Sequence, residues 1–199
     1  YIFVSALIDN SLGSFFEIPQ YGFAISTYFS LAYWIGGFIL LMKIKLKTAS
    51  KKEYPKIKKS YEDLFNEFGS GKETHQLQLD YNYFLGFQNN EKDLAVSNLK
   101  SFSKQPLSQY QEARIKMLLA DILVFDEKFN QALIYYSQIQ HEVKGNLLAQ
   151  EARFKVAKTS YFNFDFAWAQ LQLDVLKKSA TQLIANDAMQ LSLLIKDNS

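Results

Sequence analysis

Ala120-Asp121-Ile122-Leu123-Val124-Phe125-Asp126-Glu127-Lys128-Phe129-Asn130-Gln131-Ala132 is answered 37 residues later by Ala157-Lys158-Thr159-Ser160-Tyr161-Phe162-Asn163-Phe164-Asp165-Phe166-Ala167-Trp168-Ala169. Widening the window gives two matched sets. Leu119-Ala120, Phe129, Ala132, Tyr136 and Ile139 form the first. Val156-Ala157, Phe166, Ala169, Leu173 and Leu176 form the second, each 37 residues after its counterpart. Each copy spells a helix, a short turn and a second helix, with apolar residues at three- and four-residue steps. One such hairpin cannot bury its apolar face alone, so copies must stack. The fold class read from this stretch is all-α, with antiparallel helical hairpins stacked as an α-solenoid.

Upstream lies a third, degenerate copy. Ala95, Leu99 and Phe102 stand 37 residues before Ala132, Tyr136 and Ile139. Its first helix fits poorly, because Tyr83 and Gly86 stand where Ala120 and Leu123 stand next. The periodicity predicts helices over 53–68, 73–87, 109–125, 129–140, 147–161, 166–176 and 182–195, with a short one holding Leu94 to Phe102. Gly69, Ser70-Gly71, Asp126-Glu127-Lys128, Gly145-Asn146 and Asn163 with Asp165 supply turns, and Pro106 ends a unit. The clearest repeats span 109–142 and 147–177. Ala132 and Ala169 are expected at the closest helix crossings. Ser179-Ala180-Thr181 reads as the cap of the last helix, whose apolar residues call for further repeats downstream.

Composition agrees with a packed helical chain. Apolar residues make up 48% of the 199, aromatics 16%, and there are only 3 Pro and 8 Gly. A net charge of +2 argues against nucleic acid as a partner of the whole protein. The absence of Cys removes disulfides, thiolate metal sites and Cys nucleophiles. The chain opens at Tyr1 inside an apolar run, so it reads as a piece of a longer protein.

Residues 1–42 form a strongly apolar segment, set apart from the repeats of 43–199. Residues 18–42 hold no charged side chain, and Lys43, Lys45, Lys47, Lys51 and Lys52 follow at once. Phe23 to Met42 is long enough to cross a bilayer. Two readings stand side by side: a membrane helix with its lysine end in the cytoplasm, or two apolar helices buried in the solenoid.

Catalytic chemistry finds little purchase. His75 and His141 have only Glu73 and Glu142 close in sequence, at spacings that do not share a helix face. Gly69-Ser70-Gly71-Lys72 lacks the spacing of a phosphate loop and reads as a turn. Asp121, Asp126 and Glu127 read as a solvated group rather than a catalytic carboxylate pair. The eight lysines between Lys43 and Lys59 read as a solvated or headgroup-facing stretch. Trp168 reads first as core packing, with a partner-facing anchor as the alternative. No cofactor or metal ligand set is assigned. First helices of such arrays usually line the binding surface, which makes Gln111, Lys116, Arg153 and Lys158 the candidate partner-facing residues.

Three phrases resemble a known family: Glu151-Ala152-Arg153-Phe154-Lys155-Val156-Ala157, the run Phe164 to Lys177, and Leu183-Ile184-Ala185-Asn186-Asp187-Ala188-Met189. Lys51 to Ile57 and Ala120 to Val124 are similar to it less specifically. The family is that of large tetratricopeptide-repeat proteins of Bacteroidota, and the resemblance covers about residues 43–199. It implies a non-enzymatic scaffold for protein partners, exported to the periplasm or cell envelope. It supplies no catalytic or binding residue, and its members have ordinary amphipathic helices where this chain has residues 18–42. The alternative function is a cytoplasmic helical-repeat tail on a membrane-embedded transporter or polysaccharide-assembly protein, with membrane contact through residues 18–42.

Overall fold

A computed structural model of the chain describes residues 49–178 and 182–197, together with Gly37. Apart from Gly37, the apolar run of 18–42 and the cap at Ser179 to Thr181 lie outside the described residues. No helix among the described residues is long and apolar enough to cross a membrane. The chain divides into two compact units, Tyr1–Asp63 and Leu64–Ser199. In the first, a 3₁₀ turn at Lys51–Glu53 is closed by a capping box. The Glu53 carboxylate accepts from Ser50 N–H at 2.8 Å and from its hydroxyl at 3.0 Å. Helix α1, Tyr54–Phe68, starts there and runs past the boundary. Its stop is Gly69, whose φ of 76° lets its N–H reach Phe65 C=O at 2.8 Å.

The second unit is a run of hairpins. Helices α2 (His75–Tyr83), α3 (Lys92–Phe102), α4 (Gln109–Phe125), α5 (Phe129–Glu142), α6 (Leu147–Phe162), α7 (Phe166–Leu176) and α8 (Gln182–Asp197) follow one another, with no strand among the described residues. Each helix from α3 onward packs on its successor. First helices also meet first helices, α2 on α4, α4 on α6 and α6 on α8. This is the solenoid-like, all-α arrangement that the repeated pattern requires. Ser108 and Gln111 form a capping box on α4, Asn146 caps α6, and Asp165 accepts from Trp168 N–H on α7.

The turns inside the hairpins repeat to the residue. Asn90, Glu127 and Phe164 are 37 apart, and their φ angles are 57°, 58° and 61°. The N–H after each reaches back into the first helix: Lys128 to Leu123 C=O and Asp165 to Ser160 C=O, both at 2.8 Å. This left-handed C-cap returns the chain antiparallel. In the first hairpin the same bond runs from Glu91 to Leu85 C=O, one residue farther. The extra residue sits in a π turn, Phe84–Gln88, that closes α2. The expected unbroken helix over 73–87 is therefore a 3₁₀ turn, an α-helix and a π turn.

That insertion explains the poor match of the first copy. Up to Leu85, early in the π turn, the period is 38, not 37. Leu77, Leu79, Tyr81, Asn82, Phe84 and Leu85 then fall on Ile115, Met117, Leu119, Ala120, Ile122 and Leu123, and all twelve are buried. From α4 to α6 the period returns to 37: Ile115, Leu119, Ala120, Ile122 and Leu123 fall on Ala152, Val156, Ala157, Thr159 and Ser160, again all buried. Gly86 belongs to the π turn because α4 comes so close there. A Cβ on Gly86 would lie 2.8 Å from Ile122 Cδ1. Ala132 and Ala169, the small residues expected at the helix crossings, are fully buried.

Candidate functional site

The register of the first helices builds a groove. Gln76, Leu79, Asp80 and Tyr83 on α2, Arg114, Met117, Leu118 and Asp121 on α4, and Leu148 and Glu151 on α6 line a depression of about 300 Å³. Spacing by three and four puts each set on one face of its helix. The sets are also in register with one another. Arg114 follows Gln76 by 38 and precedes Glu151 by 37, and Asp121 stands in the same relation to Tyr83 and Lys158. Apolar Leu79 and Met117 are buried, whereas Tyr83 and Glu151 are exposed.

Asp121 is the polar hub of the groove lining. Tyr136 O–H donates to Asp121 Oδ1 at 2.5 Å from α5, and Lys155 Nζ donates to both its oxygens at 2.7 and 2.9 Å from α6. Burial, then the Asp121 charge, pushes the Tyr136 hydroxyl far above its ordinary pKa, so it stays a donor. Asp121 thus ties three helices together instead of sitting in a solvated turn. Asp126 does occupy a turn but is ion-paired, with Lys128 at 2.7 Å and Lys92 at 3.0 Å. Hydrogen bonds from Lys128 and Lys92 hold its carboxyl below the ordinary carboxylate range.

The four residues predicted to face a partner are not brought together. Gln111 closes the capping box of α4, and its Nε2 donates to Lys72 C=O. Lys116 is ion-paired with Glu112 at 2.8 Å and with Glu142 on α5. Burial opposes its charge, but the hydrogen bonds to the two carboxylates outweigh this and raise its pKa. Arg153 stands 37 residues after Lys116 and also meets α5, its Nε donating to Gln140 Oε1 at 3.2 Å. It lines a second depression of about 390 Å³ with Lys144, Asn146 and Val175. Lys158 alone shares a register position with the groove, beyond its lining, with Nζ 6.0 Å from the centre of the Phe154 ring.

His75, near the start of α2, is buried and its Nε2 lies 3.0 Å from Gln111 C=O, which fixes the proton on that nitrogen. Burial first, then the Arg114 charge, depresses its pKa, while the bond to Gln111 partly restores it. Among the described residues no group of three His, Cys, Asp or Glu side chains is placed to hold a metal ion. Trp168 is 47% exposed, so it is a surface residue and not part of the core.

Sequence reasoning missed Gln76, Asp80, Tyr83, Arg114 and Glu151 because it lacked the one-residue phase change in α2. With a period of 38 there, the three first helices align and the groove positions can be read off them. Compared with known proteins, the chain matches no family model, and no curated protein is similar to it.

Proposed function

We propose that the chain is a non-enzymatic protein-interaction scaffold of tetratricopeptide-like hairpins, and that the groove on α2, α4 and α6 receives a segment of its partner. One observation carries this reading. Three successive first helices present the same face, in register, to one depression lined by buried apolar side chains and by charged ones that are half-buried or exposed. Buried Leu79 and Met117 offer apolar contact, and Arg114, Glu151 and Asp80 give orientation. Pairing Asp121 with Tyr136 and Lys155 braces the groove lining and suits a rigid template rather than a site that moves protons. A photo-crosslinking residue in place of Leu118 in the full protein is expected to capture the partner. The same group in place of Ile134, exposed on α5 and outside the groove lining, is the control. Equal capture at both positions, or capture at Ile134 alone, overturns the reading.

The uncharged run of residues 18–42 and the lysines after it favour a second reading, a membrane-attached protein carrying the array on its lysine side. Partition of the expressed chain into the membrane fraction would support it. Recovery as a monodisperse species without detergent would remove it.

A further inference from the structure

The third hairpin carries an apolar stripe on its solvent side that the other hairpins lack. Trp168, Leu171 and Val175 recur at three- and four-residue steps along α7 and are 47%, 58% and 53% exposed. Ala169, Leu173 and Leu176 form the buried stripe of the same helix, so α7 is apolar on two faces. The positions 37 residues earlier on α5 are Gln131, Ile134 and Gln138, a mostly polar set. At the head of the stripe stands Phe164, 82% exposed and held at a φ of 61°. Asn90 and Glu127 fill that left-handed position in the other hairpins. A bulky residue there is strained, and an aromatic ring there is also left in water. Exposed Phe162 and Phe166 flank it, the Phe164 and Phe166 rings meeting edge to face at 6.2 Å.

We propose that this stripe is a self-association surface, and that two copies of the chain pair through α7 in antiparallel fashion about a two-fold axis near Leu171. Area supports a second copy. With about 150–250 Å² per aromatic side chain, the exposed parts of the patch amount to roughly 600–700 Å². A stable interface buries about 800 Å² on each partner, so the patch alone covers most of what a second copy needs. Charge supports the antiparallel sense. Asp165, which caps α7, flanks one end of the stripe and Lys178 the other, where Lys177 is already paired with Asp174 at 2.8 Å. With the axis near Leu171, Trp168 meets Val175 of the second copy, and Asp165 comes opposite its Lys178. A two-fold pairing of this kind closes and buries the same patch on both copies.

Sedimentation of the 199-residue chain is expected to show a monomer–dimer equilibrium in the micromolar range. Leu171→Lys is expected to abolish it without changing the helical signal, because Leu171 makes no part of the buried stripe. The chain has no native Cys, so introduced ones report on geometry. Leu171→Cys is expected to form a disulfide-linked dimer much faster than Ile134→Cys. Trp168→Cys mixed with Val175→Cys is expected to link one to the other in preference to either alone. Four results would overturn the proposal: a chain that stays monomeric, a dimer indifferent to Leu171→Lys, a Leu171→Cys variant no faster than the control, or Trp168→Cys linking mainly to itself. A monomeric chain would assign the stripe to a different protein, and self-linked Trp168→Cys would mean a parallel pair.

Discussion

At the scale of single residues, Asn82 is the anomaly. It stands where Ala120 and Ala157 stand in the later repeats and is fully buried. Its Nδ2 donates to Gln78 C=O at 2.8 Å, but its Oδ1 is buried with no hydrogen-bond partner. A desolvated acceptor of this kind costs about 1–3 kcal/mol. Replacing it with alanine restores the repeat pattern and leaves only a small void. Asn82→Ala is therefore expected to raise the unfolding free energy by about 1 kcal/mol, read as a higher denaturant midpoint at constant slope. A loss of stability would show that Oδ1 has a partner in solution. The sequence places this residue inside an apolar helix, but its equivalence to Ala120 is hidden by the phase change that follows it.

At the scale of the element, the spacing of 37 placed most helices to within a residue or two, because α4 to α7 keep an unbroken period of 3.6 and α4, α6 and α7 carry side-chain N-caps. Helix α2 escaped it for a tertiary reason. A π turn has no sequence signature of its own; it forms where α2 must shift phase to lay Gly86 against Ile122. Of the residues expected to face a partner, Lys116 and Arg153 show another effect of tertiary context. Lys116 and Arg153 look like surface cations on first helices, yet their shared register position faces the neighbouring second helix. The contact at Gly86 can be tested directly. An added Cβ would meet Ile122 Cδ1 and Cγ1, both at 2.8 Å, and Ile122 is fully buried. Gly86→Ala is expected to cost about 1–3 kcal/mol despite the better helix propensity of alanine. Ile122→Ala removes both offending atoms. The double variant should therefore be more stable than the sum of the single losses predicts, with a coupling of about 0.5–3 kcal/mol. Strict additivity would mean that the helices are farther apart than 2.8 Å implies.

At the scale of the whole molecule, a stacked array stores its stability in neighbour-to-neighbour interfaces, so local damage should stay local. Ala169 tests this within the second unit. It is fully buried in a cluster with Ala157 of α6, Leu173 and Leu176 of α7, and Ala188 and Ile195 of α8. A leucine there must push α7 away from α6, α8 or both, and overpacking of this kind costs about 1–3 kcal/mol. Leu171, two residues on, is exposed and is the comparison: Leu171→Ala should stay within about 0.5 kcal/mol of the parent. The loss from Ala169→Leu should not spread evenly. Helix α4 meets α6 through the Asp121–Lys155 pair and along the first-helix seam, but makes no part of the Ala169 cluster. Amide hydrogen exchange on Ala169→Leu is therefore expected to lose protection across residues 147–195. The amides of α2, α3 and α4 should keep most of theirs. Equal loss from His75 to Lys178 would mean that the second unit unfolds as one cooperative body, and that the repeats read from the sequence are not energetic units.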